Sequence, residues 1–201
     1  MRVNLDRRLE RSSSPLCGVD EVGRGALAGP VVAAAVVMPP RTSIPGVDDS
    51  KRLSPARREQ LSRAITRQCL TWAIGLASHD TIDRVNIRQA SFLAMRRAVQ
   101  RLSVQPALVL ADGWPIPGLA LPCRGVVHGD RRSFVIACAS ILAKVFRDRL
   151  MQRLDHVYPG YGLAQHKGYP TEEHLYQLRA LGPSPVHRRT FEPVRRHLAG
   201  Q

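Results

Sequence analysis

Leu16-Cys17-Gly18-Val19-Asp20-Glu21-Val22-Gly23-Arg24-Gly25 and, five residues on, Val31-Val32-Ala33-Ala34-Ala35-Val36-Val37-Met38 are the stretch from which the fold is read. Both runs are short and rich in small and β-branched residues, with a glycine-rich turn between them. That pattern predicts adjacent antiparallel strands over Leu16–Val22 and Val31–Met38. Leu70–Ala77 has the same character and continues the meander. Between them, Pro55 follows Ser54 in the order of a helix N-cap and first-turn residue, and Leu61 and Ile65 recur behind it at helical spacing. Asn86 is placed to cap a second helix, in which Phe92, Met95, Val99 and Leu102 repeat at steps of three and four.

Two further apolar runs, Ala107–Ala111 and Gly125–His128, predict strands, and an acid follows each of them closely. Phe134–Leu154 is the longest helical segment, apolar around much of its first half and so expected to be buried. A Gly/Pro/Tyr loop from Tyr158 to Pro170 leads to a short helix opened by Thr171-Glu172-Glu173. Residues 1–15 are polar and read as a short N-terminal extension, with a single domain over 16–201. Three meandering strands followed by strand and helix in alternation give an α/β plan with a mixed sheet.

The chain has 201 residues, and 30 Lys and Arg against 16 Asp and Glu leave a formal charge of +14. Such an excess is a statement about partners, and it suits a polyanion. At 44% hydrophobic residues the sequence carries enough apolar material for a core, which excludes a disordered basic tail. The longest apolar stretch, Ala26–Met38, is broken by Gly29-Pro30 and is short of the roughly 20 residues of a membrane span. Acids precede it where a secretory leader would be basic, so the expected location is the cytoplasm, with no membrane contact. Cys17, Cys69, Cys123 and Cys138 are far apart, with no CxxC pair, and read as small buried hydrophobes.

In so basic a chain the position of the acids is informative. Asp20-Glu21 ends the first strand, Asp112 follows Leu108-Val109-Leu110-Ala111, and Asp130 follows Val126-Val127-His128-Gly129. Acids at the ends of separate strands converge at one sheet edge, where they repel unless a cation joins them. Mg²⁺ or Mn²⁺, which take oxygen ligands, would serve. Neighbouring strand residues point to opposite faces, so Asp20 and Glu21 share a site only if the strand ends there. Gly23-Arg24-Gly25 supplies a turn that would end it. Taken singly, each acid is also an ordinary turn or cap residue.

Ser140, Lys144, Arg147 and Asp148 form one polar stripe on an otherwise apolar helix, either a solvated face with an internal ion pair or a phosphate-binding stripe. Ser50 and Lys51, after Asp49, offer a second hydroxyl and ammonium. Three tyrosines of the 158–170 loop, Tyr158, Tyr161 and Tyr169, sit among cations, which suits sugar or base contacts as well as a packed surface loop. His187-Arg188-Arg189 touches phosphate or is a basic solvated segment.

Gly18-Val19-Asp20-Glu21-Val22-Gly23-Arg24-Gly25 resembles bacterial ribonuclease HII. So do Asp49-Ser50-Lys51, Asp112-Gly113, Gly129-Asp130, Ala139–Val145, His166-Lys167-Gly168-Tyr169 and His187-Arg188-Arg189, in that order over residues 16 to 195. The resemblance implies a ribonuclease H-like mixed sheet flanked by helices, with a helical C-terminal portion. It implies that Asp20, Glu21, Asp112 and Asp130 bind Mn²⁺ or Mg²⁺ and are catalytic. It implies further that Gly23, Arg24 and Gly25 meet the ribose 2′-hydroxyl through backbone groups, and that Tyr169 stacks on the sugar at the RNA–DNA junction. Tyr161 is the second choice for that role, and Ser50, Lys51, Ser140 and Lys144 are implied phosphate contacts. The implied substrates are RNA/DNA hybrids and duplex DNA with embedded ribonucleotides, acted on by a monomer. Three positions depart from the family pattern: Ala26 for proline, His128 for lysine and Cys138 for alanine. A non-catalytic nucleic-acid-binding protein would carry the same charge without needing acids at strand ends.

Overall fold

A strand that buries both faces loses the alternation of polar and apolar residues, and the 31–37 run has lost it completely. In the computed structural model, which describes residues 2–200, this run is β2 (Val31–Val37), every residue of it buried. It lies between β1 (Leu16–Val22) and β3 (Thr71–Ala77), antiparallel to both. β4 (Leu108–Asp112) pairs parallel with β1, and β5 (Cys123–Val126) pairs parallel with β4. The sheet is therefore mixed, in the order β3-β2-β1-β4-β5.

Alternate residues of the central strands feed two cores, as a period of two requires. Leu16, Ala34, Val36 and Leu110 pack against α5 (Phe134–Val157), with Leu61 and Ile65 of α2 (Pro55–Gln68) in the same cluster. Cys17, Val19, Ala33, Ala35, Val109 and Ala111 pack against α3 (His79–Gln100) on the other face. Glycine lets the helices come close. A Cβ on Gly18 would lie 2.1 Å from backbone atoms of Val135, and one on Gly75 would lie 2.1 Å from the Ala94 carbonyl oxygen.

Helix starts follow local chemistry. Ser54 accepts from the Arg57 N–H with Pro55 at the first turn, and Ser133 accepts from Ile136 N–H to open α5. α3 opens earlier than expected, capped by Ser78. Its residue Asn86 sits at φ 65° and its Oδ1 accepts from Gln89 N–H. Asn86 thus caps the segment for which the sequence singled it out, while a shorter helical segment precedes it.

β5 and the N-terminal segment also differ from expectation. β5 starts and ends two residues early, and the backbone then turns at His128, exposed and left-handed at φ 54°, into a short helix α4 (Gly129–Arg132). Asp130 consequently stands on a helix. The polar N-terminal segment is also structured, as α1 (Arg2–Glu10). Its Asp6 is buried, and Oδ2 accepts from the N–H groups of Phe134 and Val135 at the start of α5, where a helix presents unpaired donors. α6 (Leu163–His166), α7 (Glu172–Leu181) and α8 (Glu192–Ala199) complete a helical C-terminal portion. The four cysteines are free, and no described helix is long and apolar enough to cross a membrane.

Candidate active site

Parallel strands open a crevice beyond their carboxyl ends. β1 pairs with β4 in the register Leu16↔Leu108 to Val19↔Ala111, so one further step brings Asp20 level with Asp112 just where that ladder stops. The strand itself does not stop at Asp20, as the sequence reading required. It runs on to Val22, paired only with β2. Loss of the β4 neighbour, in place of a strand end, frees the edge, and both acids line one cavity.

That cavity, of about 530 Å³, is lined by Asp20, Glu21, Asp112 and Asp130 together with Gly23, Arg24, Gly25, Ser50, Lys51, Ser140, Lys144 and Tyr169. The twelve residues to which the resemblance gives a site role are therefore neighbours. Asp20 Oδ1 accepts from the Glu21 N–H at 2.7 Å. Asp112 Oδ1 accepts from the Gly129 N–H at 2.6 Å, which ties the end of β4 to the helix that carries Asp130. Glu21 Oε1 pairs with Arg24 at 3.1 Å, while Glu21 Oε2 is buried with no hydrogen-bond partner.

Burial, then repulsion from Glu21 and Asp112, holds the Asp20 carboxyl well above the usual range, against a hydrogen bond from Ser140. Glu21 is raised by burial and by Asp112, opposed by Arg24. Asp130 is raised by burial, Asp49 and Asp112, with Lys51 and Arg131 opposing. Crowded carboxylates with one orphaned oxygen call for a cation, and the all-oxygen donor set suits Mg²⁺ or Mn²⁺. Among the described residues no group of three or more His, Cys, Asp or Glu side chains stands close enough together to hold a metal ion as the side chains lie.

The cations are built in from neighbouring elements. Asp49 caps the turn Ser50–Arg52 by accepting from Lys51 N–H and pairs with Arg131 of α4 at 3.3 Å. Arg58 donates to the Ser50 carbonyl at 3.0 Å and reaches Asp148, which also holds Lys144 at 2.7 Å. Ser50 Oγ and Ser140 Oγ are 2.9 Å apart, so the two hydroxyls form a pair.

Three expectations change. Arg147 leaves the polar stripe: it is fully buried and donates to the carbonyls of Pro30, Ala28 and Lys167. Tyr161 is buried against Met151 and Leu163, with its hydroxyl donating to the Gly182 carbonyl, so it is away from the cavity. His187 and Arg188 are neither solvated nor at the cavity surface. Both are buried, and Arg188 donates to the carbonyls of Gly23, Arg24 and Gly29 behind the 23–25 turn.

Tyr169, by contrast, approaches Gly25: a Cβ there would be 3.9 Å from its ring. Its carbonyl is held by a run of imidazoles the sequence did not reveal. A carbonyl only accepts, so His174 Nδ1 donates to Tyr169 O at 3.0 Å, and His174 Nε2 must accept from His187 Nε2 at 3.1 Å. His187 Nδ1 then accepts from Ser184 N–H and Oγ at 3.0 and 2.8 Å. Both histidines are neutral in this arrangement, and burial pushes each down to about 4. A base depressed in the folded state stabilises fully above its unfolded value near 6.5 and loses that contribution as pH falls toward 4. The loss is expected to reach at most about 1.4 kcal/mol per pH unit for each ring. Melting temperatures should fall more steeply between pH 6.5 and 4.5 in the parent than in His187→Gln. Parallel slopes would contradict a neutral buried relay. The raised carboxylates titrate in the opposite sense but are common to both proteins.

A family model described as Ribonuclease HII matches residues 17–194. The Ribonuclease HII of Geobacter sulfurreducens is 52% identical over 193 residues, which are 96% of this chain and 88% of that one. The Ribonuclease HII of Nitrosococcus oceani is 53% identical over 183 residues, 91% of each chain. Among solved structures, the ribonuclease H2 from Pyrococcus horikoshii OT3 matches with a TM-score of 0.79 at 26% identity, covering 92% of this chain and 97% of that one.

Proposed function

The chain belongs to the ribonuclease HII family of hydrolytic nucleases, and from that premise we propose that it is an endonuclease that cleaves the RNA strand of RNA/DNA hybrids and incises duplex DNA 5′ to embedded ribonucleotides. The observation that carries this reading is the gathering of Asp20, Glu21, Asp112 and Asp130 in one cavity of a chain charged +14, with Glu21 Oε2 buried and unpartnered.

In this reading Asp20, Glu21, Asp112 and Asp130 hold two Mg²⁺ or Mn²⁺ ions. Bound there, such ions would supply Lewis-acid activation of water and charge neutralisation for a hydrolysis that gives 5′-phosphate and 3′-hydroxyl ends. The protein's own part is placement. Arg24 fixes one oxygen of Glu21 and leaves the other facing inward. Gly129 N–H orients Asp112. Lys51 and Lys144, with the Ser50 and Ser140 hydroxyls, neutralise and position backbone phosphates, a sequence-independent attraction. Gly23, Arg24 and Gly25 meet the 2′-hydroxyl, the group that separates RNA from DNA at a given sugar, and Tyr169 stacks on the adjoining sugar. Action as a monomer is part of the same proposal.

A duplex with a single embedded ribonucleotide tests the proposal. Incision 5′ to the ribonucleotide is expected with Mn²⁺ or Mg²⁺, with none in EDTA and none on the all-DNA duplex. Cutting of plain DNA, or activity indifferent to chelation, would sink it.

A further inference from the structure

Two arginines, Arg147 and Arg188, are completely buried, and among the described residues neither has a carboxylate within ion-pair distance. An unpaired buried cation is expensive unless its donors are taken up by fixed acceptors. Here backbone carbonyls do so, those of residues 23–30 and, for Arg147, also Lys167 O at 2.9 Å. Arg188 Nε, Nη1 and Nη2 donate to Gly29 O, Arg24 O and Gly23 O at 3.0, 2.8 and 2.7 Å. Arg147 donates to Pro30 O and Ala28 O at 3.1 and 3.2 Å. It lies so close under Gly23 that a Cβ there would be 2.1 Å from its Nε. Gly23 is at φ 92°, a conformation that favours glycine.

The peptide unit is planar and trans, so the C=O of one residue and the N–H of the next point in opposite directions. When Arg188 draws the carbonyls of Gly23 and Arg24 inward, the N–H groups of Arg24 and Gly25 are turned outward. The outward side of residues 23–25 is the cavity wall. Among the described residues neither N–H has an acceptor. We propose that Arg188 is a positioning residue for substrate choice: its three-pronged grip aims two adjacent backbone donors at the cavity, where they bind the ribose 2′-oxygen as an acceptor. The inference rests on the reading of residues 23–25 as the ribose contact. It adds the residue that holds that turn in place. A guanidinium is suited because its donors are set in a rigid plane, whereas an ammonium cannot span three carbonyls in the same way.

Equilibrium binding in EDTA, where nothing is cut, tests this with two probes: an all-DNA duplex and the same duplex with one ribonucleotide. The parent protein is expected to prefer the ribonucleotide duplex. Arg188→Met is expected to lose about tenfold of that preference, the scale of a misaligned pair of hydrogen bonds, with all-DNA affinity unchanged. Arg188→Lys is expected to fall between. Should Arg188→Met fail to fold, Arg188→Lys decides, with about threefold of the preference lost. A folded variant that keeps the parent's preference overturns the inference, as does equal weakening on both duplexes, which marks a structural role alone. Absence of any preference in the parent instead overturns the ribose-contact reading itself.

Discussion

Asp20→Asn is expected to lower the rate of metal-dependent cleavage by about a thousandfold or more, the scale of roughly 4 kcal/mol of transition-state stabilisation. Asp20 is buried, with Glu21 and Asp112 both acting on it. An amide removes a charged oxygen there and leaves the volume unchanged. Because the site is strained by like charges, the same substitution relieves repulsion, so the variant should melt no lower than the parent in EDTA. Binding of an RNA/DNA hybrid, carried by the surrounding Lys and Arg, should persist. Added Mn²⁺ should raise the melting temperature of the parent more than that of the variant, since a ligand stabilises the state it binds. Cleavage at the parental rate in Asp20→Asn would rule out the carboxylate mechanism. Loss of cleavage together with a large fall in melting temperature would attribute the defect to folding.

Gly18→Ala is the substitution with the largest expected effect on stability. The added methyl would lie 2.1 Å from the Val135 carbonyl carbon and oxygen and 2.5 Å from Ile136 N. These are backbone atoms, so no side chain can rotate out of the way. The helix turn that carries them is pinned by Asp6 and Ser133. β1 and α5 must separate, at a cost of about 3 kcal/mol, or roughly 10 °C in melting temperature for a chain of this length. A thermal melt of Gly18→Ala within a degree or two of the parent would mean that α5 is not seated on β1 as described.

The sheet was legible because its central strands obey simple rules: β2 is an unbroken run of small and β-branched residues, and β1 runs into a glycine turn. The cavity was legible for a related reason, since acids at strand ends are conspicuous in a basic chain. What composition could not supply was burial of charge. Arg147 and Arg188 look like solvated cations, and only their seats beneath the 23–30 segment make them internal. For Arg147 a signal existed: it falls between Ala143 and Met151 at steps of four, on the buried stripe of α5. Arg188 gave none, because its carbonyl partners lie about 160 residues earlier in the chain. Tyr161 and Tyr169 were equivalent by composition, and the fold of the C-terminal portion buries the first and leaves the second on the cavity. Asp6 was hidden likewise, its partners being more than 120 residues away.

α5 carries Ser140, beside Asp20, and seven residues later Arg147, beneath Gly23. A helix advances 1.5 Å per residue, so about 10 Å of rigid rod separates the two. On the proposed function, α5 is a ruler: the offset between the sugar that is read and the bond that is broken is fixed by helix pitch, independently of the base sequence of the duplex.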